Sequence, residues 1–292
     1  MPISTLIAAG VLESGIISDA CDRLVAAGCA PAEIEWLEPG KAVDIGFTGT
    51  IADARFALAP LQATNDVAVQ PSEGRRKMLL VSDMDSTMIT VECIDELADY
   101  AGIKPEIAAI TERAMAGELD FTEALRARVA LLAGLGEDII AQCLAERVRP
   151  MAGAQTLVHT MNAWGAHSVL VSGGFTHFAQ PVADLLGFAA VAANELGLAE
   201  GKLTGQVTGQ IVDAEVKRAE LEAAAAERGL AYEQILAVGD GANDIPMIKA
   251  AGLGVAYHAK PKAQAAANFS VAHGDLTTLL FAQGVKRSEW IT

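Results

Sequence analysis

Basic residues are scarce in this sequence: 21 Lys and Arg stand against 37 Asp and Glu, which gives a formal charge of −16. Nonspecific nucleic-acid binding needs clustered Lys and Arg to neutralise phosphates, so the composition argues against a nucleic-acid partner. It does not exclude a small phosphate ester, because a local site can be positive inside an acidic protein. A divalent cation would supply such a local charge.

Cysteines and long apolar runs are also few. The four cysteines form no CxxC pair and lack the density of a disulfide framework, which predicts buried thiols. No apolar stretch reaches membrane-spanning length, and the N-terminal segment lacks the basic region of a signal peptide. We therefore expect a cytoplasmic protein with no membrane partner.

Aromatic residues make up only 5% of the chain, whereas hydrophobic residues make up 52%. The core must therefore consist mostly of Ala, Val, Leu and Ile, which suits helices packed on a parallel sheet. At 292 residues the chain can form one large domain or two smaller ones.

Residues 1–73 are predicted to form a small α+β domain of the ferredoxin-like type, in the order β-α-β-β-α-β. The predicted strands are 5–9, 33–37, 42–48 and 66–70, and the predicted helices are 16–27 and 51–61. Residues 71–77 are polar, contain turn residues and are typical of a linker.

Residues 78–292 alternate strands with helices, which predicts a doubly wound, Rossmann-like α/β core. The predicted core strands are 78–82, 168–172, 189–192, 235–238 and 252–256. Residues 94–149 are rich in good helix formers and are predicted to form a helical cap over the strand ends. Residues 194–212 are predicted to form a β-hairpin.

The most informative motif, Asp83-Met84-Asp85-Ser86-Thr87, follows the apolar run 78–82. Open α/β sheets bind ligands where their strands end. Two carboxylates on one short turn allow one to attack phosphorus while the other moves a proton. A surface turn or a helix cap is the alternative, since Asp, Ser and Thr also favour those positions.

Three later segments carry compatible chemistry. Ser172-Gly173-Gly174 ends a predicted strand, and its hydroxyl and backbone N–H groups could bind an anion, although such a sequence is often only a turn. Lys217 opens the Ala-rich helix predicted at 216–228, where an isolated lysine is usually solvated. Residues 239–244, with Asp240, Asn243 and Asp244, offer oxygen ligands suited to Mg²⁺, or alternatively to a calcium turn or a helix cap.

Taken in order, these four segments resemble the motifs of the haloacid-dehalogenase superfamily of phosphohydrolases, over residues 78 to about 285. The resemblance implies that Asp83 is the nucleophile and that Asp85 is the acid and base. It implies that Mg²⁺ is held by Asp83, Asp240 and the backbone carbonyl of Asp85, with Asp244 acting through a metal-bound water. The phosphoryl group would be bound by Ser172, Gly173, Gly174 and Lys217. Asn243 would contact the phosphoryl group or order the metal turn.

Within that superfamily the chain is similar to the phosphoserine phosphatase family, which hydrolyses O-phosphoserine in the last step of serine biosynthesis. The similarity extends to Glu92, the acid that follows the first motif, and to the cap segments 114–121 and 125–129. It implies that Glu92 binds the substrate ammonium and Arg128 its carboxylate, while Met115 and Phe121 form an apolar wall. On sequence alone, both residues have an alternative role that involves no substrate. Arg128 could be a solvated arginine on the cap surface, and Glu92 could be an acid favoured at the start of a helix.

Residues 1–73 resemble, in topology, the ACT-like domains that some of these phosphatases carry, and we expect them to serve in homodimerisation or structural support. Two other functions remain open. One is a phosphatase or phosphotransferase for another small phosphomonoester. The other is an amino-acid sensor with a regulatory core, against which the intact Asp83, Asp85, Lys217 and Asp240 speak.

Overall fold

The computed structural model describes residues 1–115 and 118–292, with Met115 described by its backbone alone. A four-stranded antiparallel sheet comes first, in the order β2-β3-β1-β4. Its strands are β1 (Pro2–Ala8), β2 (Ala30–Glu38), β3 (Ala42–Thr48) and β4 (Asn65–Pro71). Helices α1 (Ser14–Ala26) and α2 (Ile51–Leu58) connect them and give the predicted β-α-β-β-α-β order.

One face of this sheet is covered by its own helices. Leu6, Val43 and Val69 from the strands form an apolar cluster with Leu24 of α1 and Leu58 of α2. Because side chains alternate along a strand, the intervening residues point to the other face.

The opposite face is mixed: polar residues alternate with Ile7 and Ala68, which join the apolar core of the rest of the chain. Arg75 donates to both carboxylate oxygens of Asp44, at 2.7 and 3.0 Å, and this ion pair is nearly inaccessible to solvent. Gln70 donates to the backbone carbonyl of Ala282 at 2.6 Å. The first 71 residues are therefore fixed to the larger sheet by specific buried contacts.

Asp66 makes the most concentrated of these contacts. Its carboxylate, 1% exposed, accepts hydrogen bonds from the backbone N–H groups of Ala272, His273 and Gly274 at 2.8, 3.1 and 2.8 Å. An alanine at this position would leave three backbone donors unsatisfied. Hydrogen bonds to a charged group each contribute about 1.5–3 kcal/mol, and buried unsatisfied donors add their desolvation penalty.

We expect Asp66→Ala to lower the free energy of unfolding by at least about 4 kcal/mol, the lower end for three such hydrogen bonds, measured by urea denaturation. Asp19→Ala is the matched control, since the exposed ion pair of Asp19 with Arg23 contributes no more than about 0.5 kcal/mol. Equal unfolding midpoints for the two variants would show that Asp66 does not stabilise the contact between the sheets.

The second sheet has seven strands in the order β11-β10-β9-β5-β6-β7-β8, parallel except for β8, which runs antiparallel to β7. The strands are β5 (Leu79–Ser82), β6 (His167–Phe175), β7 (Ala190–Ala199), β8 (Lys202–Thr208), β9 (Ile235–Gly239), β10 (Leu253–Tyr257) and β11 (Phe269–Val271). The prediction of a doubly wound α/β core is confirmed. The sequence patterns missed β11, which is three residues long.

Helices cover both faces of this sheet. Leu79 and Val81 pack with Leu221 of α9 (Ala214–Glu227) and Met247 of α10 (Ile245–Lys249). Leu80, between them in sequence, joins the larger cluster on the other face. That face holds the helices α7 (Ala154–Ala163), α8 (Thr176–Leu186) and α12 (Thr278–Ala282).

A helical insert lies between β5 and β6, as predicted. It contains α3 (Cys93–Ala101), α4 (Lys104–Met115), α5 (Phe121–Ala130) and α6 (Asp138–Arg147). An antiparallel bridge between Ile89 and Pro150 joins the two ends of the insert, so it leaves and re-enters the core at one place. Helix α5 starts with a capping box formed by Asp120 and Glu123.

Within the described residues, the helices are all too short or too polar to cross a membrane.

Candidate active site

The site lies at the carboxyl end of β5, where the connections of the parallel sheet change direction. Strand β5 is flanked by β6 on one side and by β9 on the other, although β9 comes much later in sequence. Such a switch point leaves a crevice outside the strand ends. The backbone N–H of Asp83 donates to the carbonyl of Val238 at 3.0 Å, which places Asp83 directly beside the end of β9.

Lys217 is the buried cation of this crevice, with 1% of its surface exposed. It lies in the first turn of α9, whose start is capped by the side chain of Asp213. Its Nζ lies 2.6 Å from Oδ1 of Asp83 and 2.8 Å from Oδ1 of Asp244. Burial alone would lower the pKa of Lys217, but the two carboxylates outweigh it and raise that pKa, so the ammonium stays charged.

Three carboxylates converge here: Asp83, Asp240 and Asp244 offer oxygens that all lie within 4.8 Å of one another. Burial, followed by the charge of Asp244, raises the pKa of Asp83 well above its ordinary value and that of Asp240 to about 6. Both pKa shifts reflect burial first and, after it, the negative charge of Asp244. Clustered carboxylate oxygens are the ligands that Mg²⁺ and Ca²⁺ prefer, so the residues fit a divalent cation.

The turn after β9 is built around Asp244. Its Oδ2 accepts hydrogen bonds from the backbone N–H groups of Asp240 and Gly241 at 3.1 and 2.9 Å. A Cβ on Gly239 would lie only 2.4 Å from Cγ of Asp244, so a glycine is needed there. Asp244 thus uses both oxygens within the protein, one on Lys217 and one on the turn. Its action on the metal through a bound water stays a prediction.

Asp85, the second acid of the first motif, is in a different environment. Its Oδ2 accepts the backbone N–H of Cys93 at 3.3 Å, and its Oδ1 is buried without a hydrogen-bond partner among the described residues. Burial, with the nearby charge of Glu92, raises the pKa of Asp85 to about 7. A carboxyl group with this pKa can both give and take a proton near neutral pH.

The Ser172 loop closes the crevice from the β6 side. Ser172 is buried, and its Oγ accepts the backbone N–H of Gly174 at 2.9 Å. The carbonyl of Gly173 accepts the side-chain amide of Asn194 at 2.8 Å, which fixes the loop to β7. A Cβ on Gly174 would lie 3.2 Å from Cε of Met84 and 3.4 Å from Oδ2 of Asp85, so the glycine allows the loop to approach the first motif.

The cap completes a cavity of about 310 Å³. Glu92 is held by Ser86, whose hydroxyl donates to Oε1 at 2.6 Å from a backbone with a positive φ of 56°. Arg128 is half-buried on α5, its Nε donates to the carbonyl of Ala124 at 3.3 Å, and burial lowers its pKa. Phe121 lies across the crevice, with its ring 3.3 Å from where a Cβ on Gly173 would be.

The structure therefore brings most of the predicted site residues into one place. Around the cavity or directly behind it lie Asp83, Asp85, Glu92, Phe121, Arg128, Ser172, Gly173, Gly174, Lys217, Asp240, Asn243 and Asp244. The side chain of Met115 lies outside the described residues. Sequence reasoning missed Lys260, which also lines the cavity. Its position just beyond β10, at the same edge of the sheet as the four motifs, is the feature of the sequence that indicates it.

Comparison with known proteins agrees with this geometry. Residues 80–249 match the family model of haloacid dehalogenase-like hydrolases, a segment that includes all four motifs. The chain belongs to the haloacid dehalogenase-like hydrolase family.

Three proteins similar to this chain illustrate the match. The chain is 45% identical to phosphoserine phosphatase SerB2 of Mycobacterium tuberculosis, over 82% of this chain and 60% of that protein. It is 46% identical to the phosphoserine phosphatase of Haemophilus influenzae, over 69% and 64%. The crystal structure of a probable phosphoserine phosphatase from Vibrio cholerae superposes with a TM-score of 0.80 at 34% identity, covering 98% of this chain and 88% of that one.

The matched region spans between 60 and 64% of the length of these two curated relatives. Membership of the haloacid dehalogenase-like family, predicted from the four motifs, is confirmed. The structural match to the Vibrio cholerae protein covers 98% of this chain and therefore extends over most of the first 71 residues.

Proposed function

We propose that this protein is a Mg²⁺-dependent phosphoserine phosphatase that hydrolyses O-phosphoserine through an aspartyl-phosphate intermediate. One observation supports this most: a single cavity presents phosphoryl-transfer groups at its base and a carboxylate and a guanidinium on its cap side. Asp83, Asp85 and buried Lys217 suit a phosphate ester. Glu92 and Arg128 suit the ammonium and the carboxylate of an amino acid.

The proposed reaction has two steps. A carboxylate oxygen of Asp83 attacks phosphorus, the bond from phosphorus to the serine oxygen breaks, and Asp85 gives its proton to that oxygen. Asp85 then takes a proton from water, whose oxygen attacks the aspartyl phosphate and releases inorganic phosphate and free Asp83. Phosphoryl transfer depends chiefly on positioning and on stabilising negative charge, which Lys217 and the backbone donors near Ser172 provide.

A magnesium ion fits the oxygens of Asp83 and Asp240, with the backbone carbonyl of Asp85 as the further proposed ligand. When bound, it would neutralise negative charge on the phosphoryl oxygens. We expect EDTA to abolish phosphate release from O-phosphoserine and added Mg²⁺ to restore it. Undiminished activity after exhaustive chelation, with removal of metal verified by elemental analysis, would contradict the role of the ion.

Arg128 is proposed to select substrates that carry a carboxylate. We expect Arg128→Ala to lower kcat/KM for O-phosphoserine by about 10- to 100-fold, since a hydrogen bond to a charged group contributes about 1.5–3 kcal/mol. Hydrolysis of phosphoethanolamine, which has no carboxylate, should change little. Steady-state assays of phosphate release on both substrates measure the difference.

Arg126→Ala is the matched control for this experiment, because Arg126 is exposed two residues earlier on α5 and lines a different surface. Equal losses on both substrates in Arg128→Ala would contradict a carboxylate-binding role. Efficient hydrolysis of another phosphomonoester, or transfer to an alcohol acceptor, with little activity on phosphoserine would favour the alternative reaction.

We further propose that residues 1–73 form one domain and 78–292 another, and that the first domain supports the core and forms a homodimer. Strand β2 is an edge of its sheet and exposes Ile34 and Trp36, which are 47% and 37% accessible. Light scattering of the full chain should give the mass of a dimer, and of a monomer after Trp36→Glu. A monomeric parent protein would contradict dimerisation.

A further inference from the structure

Lys260 is a second cavity-lining cation, and the four motifs do not account for it. It immediately precedes α11 (Pro261–Ala266), and its backbone N–H donates to the carbonyl of Asp240 at 3.1 Å. Its side chain lines the same cavity as Asp83, Asp85 and Asn243. Its positive charge acts on Asp240, whereas Arg128 lies in the field of Asp95 and Glu92 on the cap side. The two cations therefore serve different ends of the cavity.

Lys260 differs from the other two cations of the site in its availability to a bound anion. Lys217 is already paired with two carboxylates, and Arg128 lies on the cap. Lys260 forms no salt bridge with a carboxylate in the part of the chain that the structure describes. Its ammonium is thus available to an incoming anion on the core side of the cavity.

The backbone that carries Lys260 is fixed from both sheets. The backbone N–H of His258 donates to the carbonyl of Val271 at 2.8 Å, and its ring Nε2 donates to the carbonyl of Gly274 at 2.9 Å. The N–H of Gly274 in turn donates to Asp66 of the first sheet. The loop from β10 to α11 is therefore held in place, while the long side chain of Lys260 remains exposed at the cavity.

We propose that Lys260 is a further substrate-binding residue, whose ammonium binds the phosphoryl group of the substrate from the core side. The proposal rests on the proposed function in taking a phosphomonoester as substrate, but it does not depend on the amino-acid part. A lysine is suited to this task because its ammonium is a compact point charge with three donors. A flexible and exposed lysine acts mainly on capture of the substrate, so we expect its loss to raise KM more than it lowers kcat.

The test compares Lys260→Met with Lys260→Arg and with the control Lys262→Met. Lys262 is exposed two residues further along α11 and does not line the cavity. We expect Lys260→Met to raise KM for O-phosphoserine by about 5- to 20-fold with kcat changed less than about threefold, as expected for loss of one charge-assisted contact. Lys260→Arg should restore most of the loss.

Two further readouts separate binding from a structural effect. Salt screens exposed charges, so kcat/KM of Lys260→Met should fall less steeply with ionic strength than that of the parent protein. Inorganic phosphate should also inhibit Lys260→Met more weakly, by the same factor as the change in KM. Inhibition by phosphate tests the proposal even if the natural substrate proves to be another phosphomonoester.

Three outcomes would overturn the proposal. They are a KM and a phosphate inhibition constant within twofold of the parent, an equal effect of Lys262→Met, and a weakened kcat with unchanged KM. Failure of the protein to hydrolyse phosphoserine, with phosphate inhibition still weakened by Lys260→Met, would instead refute the proposed substrate and leave the role of Lys260 supported.

Discussion

Asp83→Asn is expected to reduce phosphate release from O-phosphoserine by at least about 10⁴-fold, because an amide oxygen is a poor nucleophile toward phosphorus. The contacts of Asp83 should make the loss of activity specific to its role as nucleophile. Oδ1 of the carboxylate is held by Nζ of Lys217 at 2.6 Å and by the backbone N–H of Met84 at 2.8 Å. An asparagine of the same shape keeps these positions but forms no aspartyl phosphate.

Folding of this variant is expected to be intact. Lys217 retains Asp244 at 2.8 Å, so the substitution leaves a neutral buried ion pair in place of one cation between two anions. Burial and the repulsion from Asp244 both disfavour the charged form of Asp83 and raise its pKa, so a neutral side chain there should give a Tm at least as high as that of the parent. Calorimetry measures the Tm, and mass spectrometry of acid-quenched enzyme tests for a phosphorylated residue.

Asp184→Asn is the control, because Asp184 is an exposed acid on α8 outside the cavity. It should leave both turnover and Tm unchanged. Substantial activity in well-folded Asp83→Asn would refute the covalent route and would require direct attack by water.

The site residues that sequence patterns located lie at the ends of apolar strands. Asp83 and Asp240 each follow directly on an apolar strand, and in a parallel sheet those strand ends share one edge. Local patterns therefore located the first and fourth motifs. Ser172 was found for the same reason, as part of β6.

Contacts that depend on distant elements were harder to predict. Lys260 lies just beyond β10, which indicates the correct edge of the sheet, but the packing of its backbone beside the turn after β9 is what places it at the cavity. The hydroxyl of Thr87 donates to Asp240 at 3.3 Å across 153 residues of sequence, and nothing local indicates this contact. Strand β11 was missed because three residues carry too little periodicity.

Asp85→Asn is expected to lower kcat for O-phosphoserine by about 10²- to 10⁴-fold, the usual contribution of a general acid or base. An amide cannot protonate the departing serine oxygen, which is a poor leaving group as an alkoxide. The fold should tolerate the change, since the asparagine oxygen can still accept the N–H of Cys93 that Asp85 accepts at 3.3 Å.

An aryl phosphate separates the two roles of Asp85. A phenolate leaves without protonation, so Asp85→Asn should still phosphorylate Asp83 but should hydrolyse the intermediate slowly. Rapid-mixing assays should then show a burst of one phenolate per active site followed by slow turnover, and mass spectrometry should find one added phosphoryl group. The double variant with Asp83→Asn should show no burst. In the variant an amide group replaces the carboxylate of Asp85, including its buried Oδ1, and an amide cannot accept a proton from water. Steady turnover of the aryl phosphate at the parent rate would therefore mean that another group activates the water.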